Sequence, residues 1–118
     1  MIVIPRVTVM SLAEMSAAAV TALGPLLART TRAIETVVRP ERVYCALFAE
    51  SERRVHFHLL PRTAWLAAQY AVAYPEAAGI SGPLLFEWAR RTFNQPIPGQ
   101  NREEVNGAIR RLLAAEIA

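Results

Sequence analysis

The sequence predicts an α+β domain: an antiparallel sheet, one long kinked helix packed on it, and a helical C-terminal extension. Three observations carry this. Residues 17–38 repeat apolar side chains at helical spacing between Ser16 and Pro40. Two runs rich in β-branched and aromatic residues, 42–49 and 54–60, come next and are joined by the polar stretch Glu50-Ser51-Glu52-Arg53. After Pro61 the pattern turns helical and the polar loops lengthen. At 118 residues the chain has the length for one core that buries about two thirds of the unfolded surface, so 1–118 reads as a single domain with 63–118 as its extension.

Taken in order, Ile2-Val3-Ile4 is a short strand that Pro5 ends or confines to a sheet edge. Ser11 and Glu14 have capping-box spacing, and Ser16 offers a second N-cap for the helix that starts at Ala17. Gly24-Pro25 should kink or divide that helix near Leu23, because proline lacks an amide hydrogen and its ring meets the preceding turn. Leu26, Leu27, Ile34, Val37 and Val38 supply the stripe that packs on the sheet. Pro40 ends the helix, strand 42–49 follows, and 50–53 is a connection of hairpin length. Pro61 should close the second strand. Helices are expected at 64–72, at 83–93 with proline in a tolerated first-turn position, and at 102–117. Tyr74-Pro75, Gly79-Ile80-Ser81-Gly82-Pro83 and residues 94–99 are the breaks between them.

Hydrophobic residues make up 53% of the chain, which argues against disorder. Charged residues make up 19%, below the figure of about a quarter usual for soluble domains, and this fits apolar surface covered by a partner subunit. All 13 cationic residues are arginine, and against 10 acids they give a net charge of +3. The fixed fork of arginine suits phosphate oxygens. An excess of arginine and alanine without lysine equally follows from genomic composition bias, and scattered arginines with no row of aromatics give no reason to expect specific nucleic-acid binding. Cys45 is the only cysteine, which excludes an intramolecular disulfide and a cysteine-based metal cluster; in a strand-like run it is expected to be a small buried hydrophobe. Met1-Ile2-Val3-Ile4-Pro5-Arg6 lacks the charged start and long apolar core of a signal peptide, and no uncharged run has membrane-spanning length. The expectation is a cytoplasmic protein that makes no membrane contact.

Both histidines lie two residues apart in Arg54-Val55-His56-Phe57-His58-Leu59-Leu60-Pro61-Arg62. Side chains alternate along a strand, so His56 and His58 share a face, about 6.6 Å apart along the chain, with Arg54 before them. Val55, Phe57 and Leu59 take the opposite face, the pattern of a half-buried strand with one wet side. Three readings compete for the pair. Isolated histidines of this kind are by default ordinary surface residues. The pair could also ligate a metal if Glu50 or Glu52 joined it, since two ligands fall short of a catalytic zinc set. The third reading is nucleophilic chemistry, for which a neutral imidazole is competent near neutral pH. Trp65 and Trp88 read as core or interface aromatics, and Arg90-Arg91 and Arg110-Arg111 as solvated helix faces.

The nine-residue run resembles the signature of the histidine triad nucleotide-binding proteins, His-φ-His-φ-His-φ-φ followed by Pro-Arg, with Arg54 in the first triad position. The resemblance extends from about Ile2 to Arg62. Ile2-Val3-Ile4-Pro5-Arg6-Val7-Thr8 is similar to the family's strand and turn, with Thr8 where a histidine often stands, and Ser11-Leu12 follows as it commonly does there. Ala49-Glu50 stands where Gly-Glu or Gly-Gln is frequent. Family members usually carry several tens of residues before this strand, so the resemblance implies an N-terminally shortened member whose nucleoside pocket is either rebuilt from the helical extension or lost.

The resemblance implies a nucleotide phosphate-bond hydrolase or nucleotidyl transferase that acts at an α-phosphate. His56 would be the nucleophile that forms a nucleotidyl-histidine, and His58 would donate to phosphate oxygens or the bridging atom. Ser51, five residues before His56, takes the place of a phosphate-contacting serine in some members. Arg54 either binds a substrate phosphate or occupies a lost triad position and leaves His56 poorly oriented, because arginine cannot accept a hydrogen bond. The alternative from another class is a catalytically weak or inactive nucleotide-binding or interaction protein of the same fold. The partners implied are a nucleotide or nucleotide-conjugate substrate and a second copy of the chain in a homodimer. The resemblance calls for no cofactor and no metal.

Overall fold

Why the two histidines end up where they do follows from one strand at the centre of a small sheet. In a computed structural model, which describes residues 1–95 and 101–115, three antiparallel strands run in the order β1 (Ile2–Val3), β3 (Phe57–Arg62), β2 (Arg42–Ala46). The helices are α1 (Ala17–Val38), α2 (Ala64–Ala73), α3 (Gly82–Thr92) and α4 (Arg102–Ala115). The architecture is therefore α+β with an antiparallel sheet and a long packed helix, as the hydrophobic periodicity predicts.

The register pairs Tyr44 with Leu60, Cys45 with Leu59 and Ala46 with His58. Paired residues project to the same face, so each face of β3 has its own helical layer. On one face Leu59 is 1% exposed in a core with Ala33 and Ile34 of α1 and Ile109 of α4, flanked by Val43 and Phe57. On the other, Leu60 and Tyr44 pack against a second core of Leu66 and Tyr70 from α2 and Leu85 and Ala89 from α3. The extension thus forms parts of both layers: α2 and α3 cover one face, and α4 packs on α1 across the other.

Local chemistry accounts for most of the boundaries. The Ser16 hydroxyl accepts from the Ala19 amide at 3.2 Å and starts α1; Arg39, with φ 50° in the left-handed region, ends it before Pro40. The expected division at Gly24-Pro25 does not occur, and α1 continues through Pro25. The carbonyl that proline deprives of a partner is that of Thr21, and both residues are exposed, so solvent can satisfy it. Ser11 caps a separate short 3₁₀ turn at Leu12–Glu14, where the Glu14 carboxylate accepts from the Met10 amide at 2.9 Å.

Three strand expectations are corrected. The first strand of the hairpin stops at Ala46 and not at Ala49, because Ala49 adopts φ 52° and turns the chain out of the sheet. The connection consequently spans residues 47–56. β3 begins at Phe57 and runs through Pro61 to Arg62, so Pro61 does not close it. The reciprocal bonds between Met1 and Leu59 show that the amide side of residue 59 faces β1. Residue 61 faces the same way, beyond the last β1 partner, where a missing amide hydrogen breaks no ladder bond. Cys45 is exposed on the edge strand β2 rather than buried. Expectations for residues 96–99, and for the end of the last helix at 116–117, lie outside the described residues.

Candidate functional site

His58 lies in β3 on the face covered by α3, and its ring meets Phe86 edge-on at 5.3 Å between centroids. His56 lies one residue ahead of β3, and its ring stands edge-on to that of His58 at 4.8 Å. Val55 anchors this approach: it is 2% exposed, and its amide donates to the Val9 carbonyl at 2.8 Å. The alternation expected from the sequence is present, with Val55 and Leu59 buried, Phe57 half-buried in the α1 core, and both histidines opening into one cavity.

That cavity has a volume of about 790 Å³ and lies between the segment after β1, the 47–56 connection and α3. It brings together all four residues singled out from the sequence, Ser51, Arg54, His56 and His58, and Thr8 as well. The extension adds Phe86, Glu87 and Arg90, which the sequence reading did not assign to the site. Arg90 was expected on a solvated face; it is exposed, yet it also lines the cavity, one turn beyond Phe86. The spacing of Phe86 and Arg90 places both on one helix face. No sequence signal says which end of the sheet that face covers.

His56 Nδ1 lies 2.6 Å from the main-chain oxygen of Arg54. A carbonyl oxygen only accepts, so Nδ1 donates and carries the proton, and in the neutral ring the Nε2 lone pair is free. The tautomer is therefore held by backbone, whatever side chain residue 54 carries. His58 titrates below the ordinary histidine value of 6.5, first because burial penalises the charged ring and then because His56, Arg90 and the chain's N-terminal amine oppose a further positive charge. At neutral pH it is a neutral ring with a single N–H to offer.

Arg54 lines the same cavity as both imidazoles, with its side chain paired to Glu52. Its guanidinium binds the Glu52 carboxylate at 2.9 Å, and its amide donates to the other carboxylate oxygen at 3.1 Å. The Arg54 guanidinium, assisted by that amide, holds the Glu52 carboxyl down at about 2, and Glu52 in turn raises the arginine. Both side chains are about half exposed, so the pair is open to solvent and screened by salt. Arg90 has a looser partner: Glu87 is 4.0 Å away and already accepts from Arg91 at 2.9 Å.

Among the described residues no three His, Cys, Asp or Glu side chains come together as a metal-binding group, so neither Glu50 nor Glu52 completes a ligand set with the histidines. Trp88 is half-buried among Tyr70 and Phe93, at 5.6 and 5.4 Å between centroids, whereas Trp65 is largely at the surface against Phe93. No described helix is long and apolar enough to cross a membrane. Comparison of the chain with protein-family models, with curated proteins and with solved structures yields no match.

Proposed function

We propose that the chain is a nucleotide phosphate-bond hydrolase or nucleotidyl transferase of the histidine triad kind, acting at an α-phosphate through a nucleotidyl-histidine on His56. The observation that carries this reading is the bond from His56 Nδ1 to the Arg54 carbonyl, which leaves Nε2 as the nucleophile at the wall of a cavity. Nε2 attacks phosphorus, the bond to the leaving group breaks, and the electron pair departs with that group, which takes any proton it needs from water. The ring becomes an imidazolium, and its Nδ1 proton is then held more strongly by the same carbonyl. Attack by water on phosphorus breaks the N–P bond, releases a nucleoside monophosphate and a proton, and restores Nε2; attack by another hydroxyl makes the reaction a transfer. His58 offers its N–H to phosphate oxygens as charge builds on them, and Ser51 can do the same. Of the two arginines at the cavity, Arg90 is the one less engaged by a carboxylate.

One observation favours a second reading, a nucleotide-binding or interaction protein with little turnover: the first triad position holds an arginine whose side chain is committed to Glu52. Incubation with adenosine and guanosine derivatives labelled at the α-phosphorus separates the two. An acid-labile label on His56, absent from His56→Ala, supports the enzyme; nucleotide binding without label or turnover supports the binder. The family reading also carries homodimeric assembly and a cytoplasmic location, the former open to light scattering on the purified chain.

A further inference from the structure

We infer that the base of the substrate nucleotide stacks on Phe48 in a second, apolar cavity next to the histidines, and that the site gains affinity from the base without distinguishing one base from another. This rests on the nucleotide reading above and names the part of the substrate that it leaves unplaced.

The second cavity measures about 260 Å³ and shares Phe48, Pro83 and Phe86 with the larger one, so the two are neighbours across a common wall. From His58 the path into it runs over aromatic rings, 5.3 Å to Phe86 and a further 5.4 Å from Phe86 to Phe48. Phe48 is 49% exposed. It touches Phe86 at a tilt of 55° and keeps much of its surface open for a planar group. The remaining walls are Tyr44, Cys45, Ala46 and Gly82. Gly82 is what lets α3 close so tightly, since a β-carbon there would come within 3.3 Å of the Tyr44 ring.

The chemistry of these walls selects for a flat, uncharged group tethered to a phosphate. None of the seven lining residues has a charged or amide side chain, and the hydroxyl of Tyr44 already accepts from Arg62 at 3.2 Å. Distinguishing bases through their edges requires several placed donors and acceptors, whereas stacking works on any base because each has a π-face. A site of this composition therefore gains affinity from the base but little selectivity. Phe86 and Pro83 belong to α3 and Phe48 to the 47–56 connection, so the base is held by elements other than β3, which carries His58.

Calorimetric titration of the full chain with AMP, GMP and ribose 5-phosphate tests this. AMP and GMP should bind within about threefold of each other, and both more tightly than the sugar phosphate. Phe48→Ala should weaken both nucleotides by roughly five- to a hundredfold, the range for loss of a base-stacking ring. It should leave ribose 5-phosphate unchanged, and Phe48→Tyr should retain the parental affinity and so exclude misfolding. Ribose 5-phosphate binding as well as AMP would overturn the inference, as would a large preference for one purine. If Phe48→Ala leaves AMP unaffected while His58→Ala weakens it, the base lies elsewhere and the nucleotide reading survives. If neither nucleotide binds the parent chain, both fall.

Discussion

Under the proposed mechanism, replacing Arg54 with alanine should leave turnover nearly intact, because what orients the His56 ring is the residue's carbonyl and not its side chain. That carbonyl lies 2.6 Å from His56 Nδ1 and is present in every variant at this position. A side chain that donated to the phosphoryl oxygens in the transition state would be worth about 10²–10³ in kcat when removed. The guanidinium instead sits 2.9 Å from Glu52, exposed and paired, and would have to break that contact to reach a substrate. The expected loss in kcat is accordingly no more than about threefold, far from the range for a lost transition-state donor. The local effect should be plain: without the guanidinium, the Glu52 carboxyl rises from about 2 toward its ordinary 4.5. It stops short of that value because the residue-54 amide still donates to it at 3.1 Å. Steady-state kinetics together with carboxyl-carbon NMR of Glu52 give both readouts on one protein. A hundredfold fall in kcat at constant KM would refute the argument, and a raised KM with unchanged kcat would show that Arg54 clamps substrate phosphate. Arg54→His belongs to the same test, since an added imidazole supplies an acceptor that Nδ1 no longer lacks.

His56→Ala should abolish turnover and covalent labelling, whereas His58→Ala should lower kcat by about 10²–10³ and retain nucleotide binding, a split that rapid-quench labelling and titration would check; equal small effects from both would favour the binding protein. Leu59→Ala should destabilise the fold by about 2–5 kcal/mol in urea unfolding, because Leu59 is 1% exposed between α1 and α4. Stability should also depend on His58. Its folded value lies below 6.5, so between the two values the unfolded chain binds the extra proton and stability rises with pH. The contribution is complete above 6.5 and is lost as pH falls through the folded value; His58→Gln should flatten that part of the profile, and an unchanged slope would count against the desolvated ring.

The sequence was legible where a single period or a single cap decides the structure. Ser16 and the Arg39-Pro40 end mark α1 because capping is chemistry between residues a few positions apart. The sides taken by Val55, His56, Phe57, His58 and Leu59 follow from a period of two, and they place both histidines on one cavity. What was not legible depends on distant partners. Leu47-Phe48-Ala49 has strand composition, but Ala49 turns out of the sheet and Phe48 packs on Phe86, which is 38 positions away in sequence. Pro61 reads as a strand end, yet it is tolerated because β1 does not reach that far along β3. Arg90 looks like a solvated cation because its place at the cavity is fixed by the packing of α3 on the sheet, which no local pattern encodes.

The two histidines, though adjacent on one face, are held in different ways, and this suits the different tasks that the proposed mechanism gives them. His58 sits inside β3, paired with Ile2 on one side and Ala46 on the other, immediately before the buried Leu59. Moving it would mean opening the centre of the sheet, so its ring N–H is presented from backbone that is paired on both sides. His56 precedes the strand and is held by the long-range bond from the Val55 amide to Val9, by its own Nδ1 on the Arg54 carbonyl and by the edge of the His58 ring. In the proposed mechanism the histidine inside the strand stabilises charge that develops in one place, and the one ahead of the strand carries the transferred group.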